Sequence, residues 1–173
     1  MRSPVLLLFA VLALSGCAGV SPPAPVAQSP PVDQRADERA KERAAVQAAL
    51  AVERQWLQSW FEGTPVVIAQ RPDGTVTVQV PREFSFDPGR SRVKPALAAV
   101  LDKVAESLRR RPQTRLALLA APGDTADTAP LAAQRALKVR SHLLSRGVPA
   151  ARIGKPTTTA TAAVQLQIGI DLM

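Results

Sequence analysis

The chain has no tyrosine, one cysteine, one histidine, two tryptophans and four phenylalanines in 173 residues. One cysteine leaves no partner for an internal disulfide. With a single histidine beside it, the chain also lacks the ligands for a Cys/His metal centre and a convincing Cys–His nucleophile pair. The serines are not framed by a Gly-x-Ser-x-Gly elbow, and no glycine-rich loop is present to cradle a phosphate. No catalytic residue, metal or cofactor is therefore expected. His142, between Ser141 and Leu143 in a helical stretch, reads as a surface or partly buried residue. The formal charge is +8. The basic residues are dispersed and aromatics are scarce, so no nucleic-acid partner is expected. The charge suits either an anionic surface as partner or merely a soluble exterior.

What the chain does contain is ordered from its first residues. Met1-Arg2 is followed by an apolar run over residues 5–14, then by Ser15-Gly16-Cys17. The run is too short to span a bilayer as a mature helix. It has the charge, apolar core and small residues of an export signal. Leu14-Ser-Gly-Cys17 resembles the lipobox of bacterial lipoproteins. That resemblance implies removal of residues 1–16, with palmitate-type acylation of the Cys17 thiol and acylation of the new amino terminus. The alternative is an ordinary secretory signal with a chance cysteine, or a small buried thiol. Under the lipoprotein reading the protein is lipid-anchored in the outer membrane and faces the periplasm. By the same resemblance, Ala18, rather than aspartate, after the acylated residue favours the outer over the inner membrane.

Residues 21–31 hold five prolines in eleven positions. Proline at that density blocks helix and sheet, so residues 17–32 read as a stiff tether, reaching roughly 50 Å if fully extended at about 3.1 Å per residue. Residues 33–62 read as a helix, stalk or packing element. Its first half is dense in mixed charge and alanine. Its second half carries Ala45, Ala49, Val52, Trp56 and Trp60 at helical spacing, with Leu50 and Leu57 beside them. Trp56 and Trp60 either pack on the protein's own domain or form an exposed face for an envelope partner or a second copy. Gly63-Thr-Pro stops the helix.

Residues 64–173 read as a folded domain. Residues 66–69 and 75–80 are β-prone around the turn signal Gln70-Arg-Pro-Asp-Gly74. Val76, Val78 and Val80 alternate with polar residues, giving one buried face. The chain is expected to stay extended through Pro81 into Phe84-Ser-Phe86. Residues 95–111 predict a helix: Pro95 suits its first turn, Leu97, Val100, Leu101, Val104 and Leu108 share one face, and Arg109, Arg110 and Arg111 suit the negative end of its dipole. Residues 114–120 predict a short strand. A second helix opens at Pro130, turns Ala132, Ala136, Val139 and Leu143 inward, and ends at Gly147. Residues 154–163 are threonine-rich and expected to be irregular. Val164, Leu166, Ile168, Ile170 and Leu172 alternate as a last strand. The order is β-α-β-α-β, preceded by a helix and a hairpin strand. It predicts an α/β (α+β) two-layer sandwich with two helices on one face of a small mixed sheet.

Three stretches carry a resemblance to the OmpA-like family, which includes peptidoglycan-associated lipoproteins. Phe84-Ser-Phe86-Asp87-Pro-Gly-Arg-Ser-Arg-Val93-Lys-Pro95 is similar to the family's passage from strand to helix. Leu131-Ala-Ala-Gln-Arg135-Ala136-Leu-Lys-Val139, running on to Leu144-Ser-Arg-Gly147-Val148, resembles a family helix. Ala150-Ala-Arg-Ile153 is similar to the segment before the family's final strand. Together they cover about residues 76–172. The resemblance implies non-covalent binding of peptidoglycan through the diaminopimelate of its stem peptide, gripped by a loop aspartate and a helix arginine. Arg135 falls on the arginine position. The aspartate position aligns strictly with Gly123, with Asp124 one residue on and Asp127 three beyond. The family's Asn-Arg-Arg before the last strand stands here as Ala163-Val-Gln165. Asp124 and Arg135 are thus the expected ligand pair, for the ammonium and the carboxylate respectively. The other reading makes Arg135 a surface or helix-capping arginine and Asp124 and Asp127 turn residues capping the next helix. The domain would then be a protein-interaction or scaffold module in an envelope assembly without glycan binding.

Overall fold

In the computed structural model, residues 32–125 and 128–170 are described. Cys17, Ala18, the export signal, nearly all of the tether and Asp127 lie outside them. The elements are helix α1 (Val32–Phe61), strands β1 (Val67–Gln70) and β2 (Val76–Pro81), a helical turn α2 (Arg82–Ser85), α3 (Pro95–Arg110), β3 (Thr114–Pro122), α4 (Ala129–Ser145), a 3-10 turn at Ala150–Arg152, β4 (Pro156–Thr159) and β5 (Ala163–Ile170). The sheet order is β1-β2-β5-β3-β4. Neighbours are antiparallel except β3 and β4, which run parallel. The sheet is therefore mixed, as the order of elements requires.

One core joins one face of this sheet to the helices. Val76, Val78 and Val80 of β2 and Val164, Leu166 and Ile168 of β5 point into it, alternating with polar neighbours. Leu97, Val100, Leu101, Val104 and Leu108 of α3 are all buried against it, a gain of roughly 1.5–3 kcal/mol for each side chain taken out of water. Ala132, Ala136, Val139 and Leu143 of α4 are buried as their spacing predicts. Arg152 donates to the carbonyls of Leu108, Arg111 and Thr114, which ties off the end of α3.

Helix α1 contributes differently from its sequence pattern. Leu50 and Leu57 are the side chains it buries, with Glu53 between them. Val52 is 58% exposed and Trp60 54%. The expected Ala45–Val52–Trp60 stripe is thus rotated away from the core. A carboxylate sits on the packed line, and hydrophobic periodicity discards such a residue. Its charge is met at the end of α3: Glu53 accepts from Arg110 at 2.6 Å and from the next residue, Arg111, at 3.4 Å. Arg110 lies 3.6 Å from the centroid of the Trp56 ring, and the Lys103 ammonium 3.5 Å from that of Trp60. Both tryptophans therefore lie against α3, Trp56 at the edge of the core and Trp60 half in solvent. Residues 34–45 of α1 are exposed all round.

Two further stretches depart from expectation. The chain after Pro81 is not extended but coils through α2, with Phe86 N–H donating to the Arg82 carbonyl at 2.9 Å. In a strand, Phe84 and Phe86 would share a face. Here Phe86 is buried, Phe84 is 40% exposed, and the buried Ser85 hydroxyl donates to the Pro81 carbonyl at 2.9 Å. The threonine-rich segment is not irregular throughout, since Pro156–Thr159 adds β4 to the sheet edge beside β3. Its side chains are half-exposed or exposed, so it has no apolar alternation to announce it. β-branching and pairing suffice.

Candidate functional site

The β3–α4 loop, the β2–α3 connection and the N-terminal half of α4 meet at one guanidinium. Arg135 lies on the inner face of α4, one helical turn before Val139, and is fully buried. Its Nε donates to the Arg90 carbonyl at 2.9 Å and its Nη1 to the Pro122 carbonyl at 3.0 Å. Its Nη2 donates to the Asp87 carbonyl at 3.1 Å and to Asp124 Oδ1 at 2.7 Å. Four of its five N–H groups are engaged in this way. The ring of Phe86 lies under it, 4.8 Å from centroid to guanidinium carbon. A buried cation survives only when paired and hydrogen-bonded, and this one is both.

Asp124 is the partner, with 26% of its side chain exposed. While Oδ1 faces Arg135, Oδ2 accepts the Gly89 N–H at 2.6 Å. Gly89 has φ +66°, a left-handed conformation that glycine adopts freely and that presents its N–H to the carboxylate. The Gly89 N–H and the Arg135 guanidinium hold the Asp124 carboxyl below its ordinary value, against the opposing effect of burial, and the charge of Arg82 adds to them.

Gly123 explains why the aspartate stands one place late. A Cβ at position 123 would lie 2.2 Å from Thr128 Oγ1 and 3.0 Å from the Thr125 carbonyl. No side chain fits there, so the carboxylate comes from the next residue. Thr128 organises the turn, accepting from the Asp124 and Thr125 N–H groups at 2.7 and 3.0 Å and donating to the Thr125 carbonyl at 2.7 Å. Asp124 therefore does not cap α4, and Arg135 is neither a surface nor a capping residue. In this state Arg135 could meet a ligand carboxylate only by releasing one of the partners that bury it.

Beside this pair opens a cavity of about 340 Å³, walled by Arg82, Pro122, Gly123, Asp124 and Thr125 on one side and by residues 158–162 on the other. Sequence reasoning did not single out Arg82. It lies 41 and 42 positions from the carbonyls of Gly123 and Asp124 that its Nη1 reaches, at 3.2 and 2.5 Å, and no local pattern reports such a contact.

Residues 85–167 match the profile of the OmpA family. They form an OmpA-family domain. The match begins at the buried Ser85 beside Phe86 and ends within β5, so it encloses Arg135, Asp124 and Gly89. Among solved structures, the OmpA domain and its surroundings are similar to a MotB-like protein from Desulfovibrio vulgaris, at TM-score 0.61 and 17% identity, covering 76% of this chain and 97% of that one. They are also similar to the periplasmic domain of Helicobacter pylori MotB, at TM-score 0.51 and 16% identity, covering 64% and 82%. At these identities the likeness is one of fold. No curated protein sequence matches the chain.

Elsewhere, His142 does not stand alone. Its Nε2 lies 2.6 Å from Asp102 Oδ1, which also accepts from Arg146 Nε at 2.7 Å, tying α3 to α4. Among the described residues no group of three or more histidine, cysteine, aspartate or glutamate side chains stands ready for a metal, and no helix is long and apolar enough to cross a membrane.

Proposed function

We propose that this is a lipid-anchored envelope protein of the outer membrane whose OmpA domain binds peptidoglycan non-covalently on the periplasmic side. The reading rests on one observation, the ion pair of Asp124 with the buried Arg135 inside an OmpA-family domain. The family resemblance assigns that pair to the diaminopimelate of the stem peptide. Asp124 keeps part of its carboxylate open to a ligand ammonium, and Arg135 fixes where that carboxylate points. The segment Leu14-Ser-Gly-Cys17 supports acylation at Cys17, and the proline-rich residues 21–31 support a spacer between bilayer and domain. No chemical step is involved, only recognition.

The test is co-sedimentation of the purified protein with peptidoglycan sacculi, beside Asp124→Asn. We expect the wild type to pellet at moderate salt and the variant, still folded by circular dichroism, to stay in solution. Binding that ignores the substitution and is stripped by salt would reflect only the chain's positive charge, and would sink the reading.

A second reading, a scaffold module without glycan binding, is favoured by the complete burial of Arg135. It would use the exposed first half of α1 and the half-exposed Trp60 to engage an envelope partner or a second copy. Under this second reading Trp56→Ala with Trp60→Ala should abolish partner capture; under the first, the same pair should leave peptidoglycan binding intact.

A further inference from the structure

Arg135 has no exposed surface, so a ligand that enters from solvent meets a different guanidinium first. Arg82 opens α2 at the end of β2 and lines the 340 Å³ cavity together with Asp124. It is half-buried, and its backbone N–H donates to the Ala162 carbonyl at 2.9 Å. That bond anchors it to the turn between β4 and β5, the opposite wall. Nη1 is used on the loop carbonyls of Gly123 and Asp124. Nε and Nη2 make no hydrogen bond to the described residues. A guanidinium held by one nitrogen, with the others free beside a cavity, is oriented to bind a planar anion.

The rest of the wall suits a small polar zwitterion. Thr158, Thr159 and Thr161 contribute hydroxyl-bearing side chains. Thr159 and Thr161 pair at 2.9 Å, and the Thr161 N–H donates to Thr159 Oγ1 at 3.2 Å, which fixes the turn without any ligand. Ala129 and Ala132 of α4 supply an apolar floor. The cavity thus offers an anion, a cation and neutral donors and acceptors within one small volume.

Resting on the peptidoglycan reading above, we propose that Arg82, not Arg135, is the ligand-contacting cation of this site: the carboxylate of a diaminopimelate-type amino-acid end lies on the Arg82 guanidinium, its ammonium on Asp124, and Arg135 is the positioning residue that aims Asp124. This division explains how a site can keep the arginine of the helix and still bury it.

The test is calorimetric titration of the full chain, in detergent, with a stem tripeptide ending in meso-diaminopimelate. Two forms of the peptide are compared, one with the carboxylate beside the free ammonium of its diaminopimelate left free and one with that carboxylate amidated. Wild type should prefer the free acid by about tenfold or more, the usual worth of a charge-assisted hydrogen bond. Arg82→Gln should lose that factor for the free acid, bind the amide within about twofold of wild type, and so cease to discriminate. Arg82→Lys, which keeps the charge, should recover part of the preference. If Arg82→Gln weakens both peptides equally, Arg82 only holds the loop, and the proposal is overturned. Should the variant bind and discriminate like wild type, the proposal is likewise overturned while the peptidoglycan reading stands. Failure of wild type to bind either peptide or sacculi would remove both.

Discussion

Replacing Arg135 by alanine should be the most damaging single change around the β3–α4 loop. It deletes four hydrogen bonds at once and strands the carbonyls of Asp87, Arg90 and Pro122 around a void. It also leaves Asp124 with only the Gly89 N–H and the more distant charge of Arg82. Removing one partner of a buried ion pair costs about 3–5 kcal/mol. The missing volume adds a cavity penalty, while water reaching the partly exposed Asp124 offsets some of the loss. We expect about 3–5 kcal/mol in all, against a total stability of roughly 5–15 kcal/mol for an ordinary domain.

Urea unfolding followed by tryptophan emission measures this. Trp56 and Trp60 report on the docking of α1 against α3, far from the substitution in sequence. The midpoint should fall by roughly 2 M with an unchanged slope. The difference should also shrink in acid. The folded-state pKa of Asp124 lies below its ordinary 3.8. Its contribution is therefore complete above that value and is lost as the pH falls through the lower, folded-state value. Arg135→Lys, keeping the charge without the fork, should fall between. A loss under about 1 kcal/mol at neutral pH would refute the burial argument and make Arg135 an ordinary solvent-facing arginine.

Other sites give sharper local tests. Gly123→Ala places a methyl group 2.2 Å from Thr128 Oγ1. It should cost about 1–3 kcal/mol by overpacking and broaden the Asp124 and Gly89 amide resonances as the turn shifts. Glu53→Gln keeps the shape but removes the charge that Arg110 and Arg111 hold. We expect a loss of about 1–3 kcal/mol, since only the glutamate end is buried, with a red shift of tryptophan emission; an unchanged spectrum would mean α1 docks through Leu50 and Leu57 alone. For Asp102, burial works against the charge, but the His142 and Arg146 hydrogen bonds outweigh it and hold the carboxyl below its ordinary value. Its stabilising effect is present above that ordinary value and fades below it. Wild type and Asp102→Asn should therefore differ in melting temperature at pH 7 and converge in acid, and a gap independent of pH would exclude the ionic account.

Much of the fold was legible because much of it follows period. Helix α3 carries one apolar face from Leu97 to Leu108, and β5 alternates from Val164 to Ile170. A face that must be buried leaves that record in any sequence. The mixed two-layer sheet followed from the order of such segments. β4 left none, because an edge strand of half-exposed threonines has no face to bury. The packed line of α1 was misread for a related reason: Glu53 stands between Leu50 and Leu57, and only the arginines at the end of α3, more than fifty residues away, make its burial tolerable.

The site divides the same way. The residues flanking Arg135 fix a helix, but its complete burial, where a ligand-facing, surface or capping arginine was expected, does not follow from that spacing. Nor does what surrounds it. The carbonyls of Asp87, Arg90 and Pro122, the Gly89 N–H and the guanidinium of Arg82 converge from segments scattered over some fifty residues. The shift from Gly123 to Asp124 is visible in the sequence, but its cause, the close approach of Thr128, is a distance. By itself the sequence determined which of the periodic segments are helix or strand and which faces of most of them turn inward, because those depend on neighbours two to four residues apart. Only the tertiary structure decided which arginine is buried among its partners and which stands open at the cavity. That choice rests on hydrogen bonds between chain segments that share no periodicity.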